Sequence, residues 1–236
     1  MKEQHLRTAR LYGASAIEKL SAASVAVIGV GGVGSYTVEA LSRAGIGHMV
    51  LIDADTVSVT NINRQLIATH STVGRDKVEV ARERLYDIDP DIRVDTVKVY
   101  VTPENVDTLP LDVDYIVDAI DNVKAKLALI RYATERGIRI ISAMGTGNKT
   151  EPSKLCVSDI SKTAVCPLAR AVRTGLKKMG IYKLKVVYST ELPMKKETGE
   201  EGEFREDAHA PASNSFVPAT AGLLIASEVI RDILSQ

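Results

Sequence analysis

Six residues, Gly29-Val30-Gly31-Gly32-Val33-Gly34, match the pattern G-x-G-x-x-G and are the first in this sequence whose spacing could do chemistry. Glycines at Gly29, Gly31, Gly32 and Gly34 let a backbone turn tightly and approach a phosphate closely, and a helix starting there offers free N–H groups and a positive dipole end. The apolar run Val25 to Ile28 precedes them and reads as a buried strand. Tyr36 to Ala44 follows with helical spacing, and a second apolar run, Met49 to Ile52, ends in Asp53. Strand, glycine turn, helix, strand and acid is the order of a nucleotide-binding βαβ unit, in which the acid takes a ribose hydroxyl. The motif alone leaves NAD and ATP both open.

Residues further along favour ATP. Asp53 is followed by a second carboxylate, Asp55, in a Thr/Asn-rich loop, and then by Arg64 and Lys77, cations of the kind a triphosphate needs. Asp121-Asn122 ends a later strand at the same crevice, where open α/β sheets bind ligands. A dehydrogenase also needs a proton donor, and none of the four histidines stands in an obvious catalytic setting. Taken singly, Arg64 or Lys77 reads as a surface charge, and Asp121 as a helix N-cap.

The elements that must position these groups alternate. Residues 1–20 contain a short amphipathic leading helix, with Leu11, Ile17 and Leu20 inward. Gly74 to Asp87 is a charged helix that turns Val78, Ala81 and Leu85 inward, and Ile92 to Val101 is a third strand near an edge. Asp114 to Asp121 is a buried strand, Lys124 to Arg136 a helix closed by Gly137, and Ile138 to Ser142 a strand. The alternation predicts an α/β fold with a doubly wound, Rossmann-like, mostly parallel sheet and a less regular C-terminal portion. There, Lys154 to Ile160 and Leu184 to Tyr188 read as strands. Pro167 opens a helix to about Met179, with Leu168, Val172, Leu176 and Met179 on one face and Arg170, Arg173 and Lys177 opposite. Residues 195–214 are polar and acidic and read as a mobile loop, and Phe216 to Leu234 as a closing helix. We expect one ATP-binding domain over residues 1–236.

Thirty basic and thirty acidic residues cancel, so any polyanion must be gripped by a local patch. Only Cys156 and Cys166 are present, which excludes a Cys-rich zinc site. No signal peptide and no apolar run long enough to span a bilayer is evident, so a cytoplasmic protein is expected. Cys166, before Pro167, sits where a helix dipole favours a thiolate. A plain helix-start residue is nonetheless the preferred reading.

GVGGVG at 29–34, IDADTVSVTNINRQ at 52–65, VGRDK at 73–77 and DAIDN at 118–122 together resemble the ubiquitin-activating-enzyme-like adenylyltransferases, the group that includes sulfur-carrier activators. The resemblance implies acyl adenylation with ATP and Mg²⁺. Asp53 would hold the ribose, and Asn61, Arg64 and Lys77 the phosphates. Asp55, Gln65 and Asn122 would line the nucleotide site, and Asp121 would organise the metal. Arg7 would reach the partner subunit's triphosphate across a homodimer. The zinc-binding C-x-x-C pairs common in sulfur-carrier activators are missing. In their place the block 145–193, with SDISKT, PLARAVR, LKKMGI and LKVVYS, resembles the dehydratases of threonylcarbamoyladenosine in tRNA. That implies ATP-driven cyclisation of the nucleoside through an acyl-adenylate, with tRNA held by Arg170, Arg173 and Lys177 and assisted by Lys178, Lys183 and Lys185. It also admits a cysteine desulfurase or sulfur-acceptor system as a partner. Activation of a ubiquitin-like sulfur carrier is the alternative.

Overall fold

The computed structural model describes residues 2–194 and 211–235. Among the described residues seven strands form one sheet in the order β3-β2-β1-β4-β5-β7-β6. They are β1 Ser24–Ile28, β2 His48–Ile52, β3 Arg93–Val97, β4 Tyr115–Asp118, β5 Arg139–Ala143, β6 Leu155–Asp159 and β7 Lys185–Ser189. All pairings are parallel except that β6 runs antiparallel to β7. The helices are α1 Leu6–Tyr12, α2 Ala14–Ala22, α3 Gly34–Ala44, α4 Lys77–Ile88, α5 Val123–Arg136, α6 Pro167–Lys178 and α7 Phe216–Leu234.

Strand periodicity divides the core. Val25, Val27, Met49, Leu51, Tyr115 and Val117 face one layer, which they share with α3, α4 and α7 through Val38, Leu41, Ala81, Leu85, Ile225 and Val229. The alternate residues Ala26, Ile28, Val50, Ile52 and Ile116 face the other layer and meet Ala128, Leu129 and Tyr132 of α5. Each Val, Leu or Ile so buried contributes roughly 1.5–3 kcal/mol relative to exposure. Helices cover both faces, so the sheet is doubly wound. The order changes direction between β1 and its neighbours β2 and β4, which opens a crevice at the strands' C-terminal ends.

Several expected elements differ in extent: the strand expected over 114–121 ends at Asp118, which leaves Asp121 in the loop beyond it, and the helix expected from Gly74 begins at Lys77. The leading helix breaks at Gly13 into α1 and α2. Ile17 and Leu20 are buried, while Leu11 is 74% exposed. The third strand stops at Val97, because the chain beyond it bonds elsewhere: Lys98 pairs with Asp76 and the Tyr100 hydroxyl with Asp55. On α6 the inward residues are Ala169, Val172 and Leu176, and Met179 is 46% exposed beyond the helix end. Of the polar stretch 195–214, residues 195–210 lie outside the described residues. No described helix is long and apolar enough to cross a membrane.

Candidate nucleotide and substrate cleft

β1 delivers the chain to the crevice at Ile28, and the turn that follows admits only glycine at two places. Gly29 has φ +88°, and a Cβ there would lie 2.8 Å from the Ala119 carbonyl oxygen. At Gly34, the first residue of α3, a Cβ would fall 1.8 Å from the Gly29 oxygen. The tight wrap brings the positive N-terminal end of α3 to the crevice floor, where an anion is stabilised.

Asp53 leaves the end of β2 and ties this turn in place. Its Oδ2 accepts from the Val30 N–H at 2.7 Å and its Oδ1 from the Asp55 N–H at 2.9 Å. A carboxylate offers about four acceptor sites, so two remain for a sugar's hydroxyls. Burial pushes the Asp53 carboxyl above its ordinary range, and Lys77 together with the Asp55 and Val30 N–H groups pulls it back.

Lys77, the first residue of α4, is 5% exposed and donates from Nζ to Asp55 Oδ2 at 2.7 Å. Tyr100 donates its hydroxyl to the other Asp55 oxygen at 2.8 Å. Burial alone would raise the Asp55 carboxyl, but the Lys77 and Tyr100 hydrogen bonds outweigh it and hold the group below the ordinary value. Arg64 is half-buried and braced from Nη1 to the Thr60 carbonyl and Asn63 Oδ1, each at 2.9 Å. Asn61, which lines the cleft, accepts at Oδ1 from the Ser58 N–H at 3.1 Å in a capping box. Gln65 is buried, and its Oε1 has no hydrogen-bond partner among the described residues.

A cleft of about 1130 Å³ brings together Gly29, Gly31, Gly32, Asp53, Asp55, Asn61, Arg64, Gln65, Lys77, Asp121 and Asn122. Gly34 is buried behind it. Asp121 is exposed and is not the cap of α5. Asn122 fills that role, its Oδ1 accepting from the Ala125 N–H at 3.1 Å. The cleft continues past the nucleotide half to Gly145–Lys149 and Cys166–Leu168. Cys166 is 4% exposed, on the wall at the start of α6.

Other sequence candidates lie apart. Arg7 is exposed on α1 and does not line the cleft. Arg170 and Lys177 are exposed on α6, as are Lys178 and Lys183 beyond them. Arg173 is committed inward, its Nη1 donating to the Thr163 carbonyl at 3.0 Å, to Thr163 Oγ1 at 2.5 Å and to the Ile160 carbonyl at 3.3 Å. Lys185 is likewise taken up, by Asp232 at 2.7 Å and Glu228 at 3.1 Å.

Sequence reasoning missed Tyr100, whose alternating surroundings read as strand, and Lys149, which sits in an unremarkable polar stretch. It also missed a wholly buried network beneath the cleft, in which Lys126 Nζ donates to Asp118 Oδ2 at 2.9 Å and to Ser142 Oγ at 3.1 Å. A Lys eight residues past a strand-ending Asp was the available signal.

No group of three or more His, Cys, Asp or Glu among the described residues could hold a metal by itself. A lone carboxylate such as Asp121, which lines the cleft, still fits Mg²⁺, which takes most of its ligands from phosphates and water.

The chain is similar to known proteins over its whole length. The tRNA threonylcarbamoyladenosine dehydratase of Bacillus subtilis (strain 168) is 41% identical over 245 residues, covering 100% of this chain and 96% of that protein. Its counterpart in Haemophilus influenzae is 38% identical, covering 96% and 92%. The crystal structure of E. coli tRNA N6-threonylcarbamoyladenosine dehydratase, TcdA, in complex with ATP superposes with a TM-score of 0.89. It is 36% identical and covers 99% of this chain and 94% of that one. The ThiF family profile matches residues 3–236, and the chain belongs to the ThiF family.

Proposed function

We propose that the chain is an ATP-dependent dehydratase that cyclises threonylcarbamoyladenosine in tRNA through an acyl-adenylate. The observation that carries this reading is the continuity of the cleft. A cradle for ribose and phosphates at Gly29–Gly32, Asp53, Arg64 and Lys77 opens directly into a second half at Gly145–Lys149 and Cys166–Leu168. ATP in the first half and an acyl substrate in the second would meet at the α-phosphate.

In this reading the substrate carboxylate attacks the α-phosphorus and pyrophosphate leaves. The neighbouring carbamoyl group then attacks the acyl carbon and loses its proton, and AMP departs as the ring closes. Both partners of the first step are anions, so Arg64, Lys77 and Asn61 hold the phosphates and stabilise charge on the leaving pyrophosphate. Asp53 orients the ribose. Asp121 would hold Mg²⁺, which when bound supplies further positive charge on the phosphate oxygens. Arg7, exposed on α1, reaches a nucleotide in this scheme only if two copies set α1 over each other's cleft, so a homodimer belongs to the proposal. The tRNA backbone is gripped by Arg170 and Lys177, with Lys178 and Lys183 continuing the patch. Arg173 and Lys185 are left out of that grip because their charges are already engaged.

The test is AMP release with three co-substrates: tRNA bearing the threonylcarbamoyl group, unmodified tRNA and a ubiquitin-like carrier. Stimulation by the modified tRNA alone is expected. Stimulation by the carrier alone would transfer the assignment to a sulfur-carrier activator.

A further inference from the structure

Lys149 stands out in the half of the cleft away from the glycine turn. The side chain is 3% exposed and lines the cleft. Among the described residues its ammonium makes one hydrogen bond, to the Ser189 carbonyl at 3.3 Å. An ammonium carries three donors, so two are left over. The Glu191 carboxylate acts on it through space without a hydrogen bond to it among the described residues. Glu191 accepts instead from the N–H groups of Thr150, at 2.9 Å, and Glu151, at 3.0 Å, and from the Thr150 hydroxyl.

The backbone under Lys149 is fixed from several sides. Its carbonyl accepts from Asn214 Nδ2 at 2.8 Å. Asn148, at φ +57°, exchanges hydrogen bonds with Ala212 through both its N–H and its side chain, and its carbonyl accepts from the Met194 N–H at 2.8 Å. Asn214 in turn caps α7 through the N–H groups of Phe216 and Val217. A buried cation without a paired anion is costly, and a fold that anchors one so firmly is arranged for an anion that arrives from outside. Burial pushes the Lys149 ammonium below its ordinary value, with Cys166 and Glu191 pulling the other way.

We propose that the Lys149 ammonium is the receptor for the substrate's carboxylate before adenylation. The proposal rests on the dehydratase reading and names the group that selects the substrate. A cation at this end offsets the repulsion between the carboxylate and the α-phosphate. Once the acyl-adenylate forms, the acyl group is no longer anionic and the attraction to Lys149 falls away, which frees it to turn for ring closure.

The test uses the full chain and two anticodon stem-loop RNAs, one bearing the threonylcarbamoyl group and one with its carboxylate converted to the amide. Wild type is expected to bind the carboxylate form about 10- to 150-fold tighter, the range of a charge-assisted hydrogen bond. Lys149→Met should bind both forms equally, and Lys149→Gln, which keeps a donor without the charge, should retain at most a small part of the preference. ATP affinity measured on the same samples reports that the variants are folded. If Lys149→Met or Lys149→Gln discriminates as well as wild type, the proposal is overturned. Wild type that fails to discriminate also overturns it, while cyclised product from that same enzyme would leave the dehydratase reading standing.

Discussion

Replacing Lys77 by Met separates what this side chain does for the fold from what it does for ATP. In the free protein its ammonium sits on Asp55 and acts on the half-buried Asp53. Met fills a similar volume but leaves both carboxylates without their cation. A fully buried broken pair costs about 3–5 kcal/mol and an exposed one about 0–1. The Lys77 side chain is 6% exposed but that of Asp55 is 45%, so water can solvate the stranded carboxylate. An intermediate cost of about 1–2 kcal/mol follows, which for a chain of this size lowers Tm by about 2–8 °C. Loss of a charged hydrogen bond to phosphate is worth about 1.5–3 kcal/mol, or roughly 10- to 150-fold in Kd. Adding Asp55→Asn removes the stranded charge. The double variant should therefore recover most of the lost Tm while its ATP affinity stays low. Calorimetric titration with ATP and thermal melts of both variants give the two readouts. If Lys77→Met binds ATP within about twofold of wild type, the phosphate role is refuted. If Asp55→Asn restores affinity together with Tm, Lys77 acts only through folding.

Asp121→Asn should lower turnover by roughly 10²-fold or more with an unchanged melt, whereas Asn122→Ala, which removes the α5 cap, should cost about 1 kcal/mol in a denaturant titration. The Arg170→Ala/Lys177→Ala double variant should weaken tRNA binding and flatten its dependence on log salt. Arg173→Ala, which takes the donor from the Thr163 carbonyl, should instead lower Tm and leave the salt slope unchanged. Burial works to raise Asp232, but hydrogen bonds from Lys185 and Tyr115 outweigh it and depress its pKa. Its stabilisation is therefore present above about pH 4 and lost as pH falls through the depressed value. Asp232→Asn should flatten the acid limb of stability measured against pH.

Legibility in the sequence followed the range of the interaction. The glycine turn and the apolar runs from Val25 to Ile28 and from Met49 to Ile52 are local patterns, and the strands around β1 lie where periodicity put them. Expectations weakened where a residue's partner is distant in sequence. Arg173 and Lys185 read as exposed charges because nothing nearby announces Thr163 or Asp232. Tyr100 read as strand because the pull of Asp55 lies 45 positions away. Lys126, eight residues from Asp118, was closer to readable, yet its burial depends on Ser142 from the adjacent strand β5. Asn122 took the cap from Asp121 by one position, a difference that depends on backbone angles, because both residue types cap well.

In the proposed function, cleavage of ATP to AMP and pyrophosphate by the substrate's own carboxylate drives the loss of water from a tRNA nucleoside. The direct measurement is the mass of the nucleosides released from threonylcarbamoyl-tRNA after incubation with the protein, ATP and Mg²⁺. The expected product is one water lighter than threonylcarbamoyladenosine, formed only with ATP and in step with AMP. AMP accumulating while the nucleoside keeps its mass would contradict it.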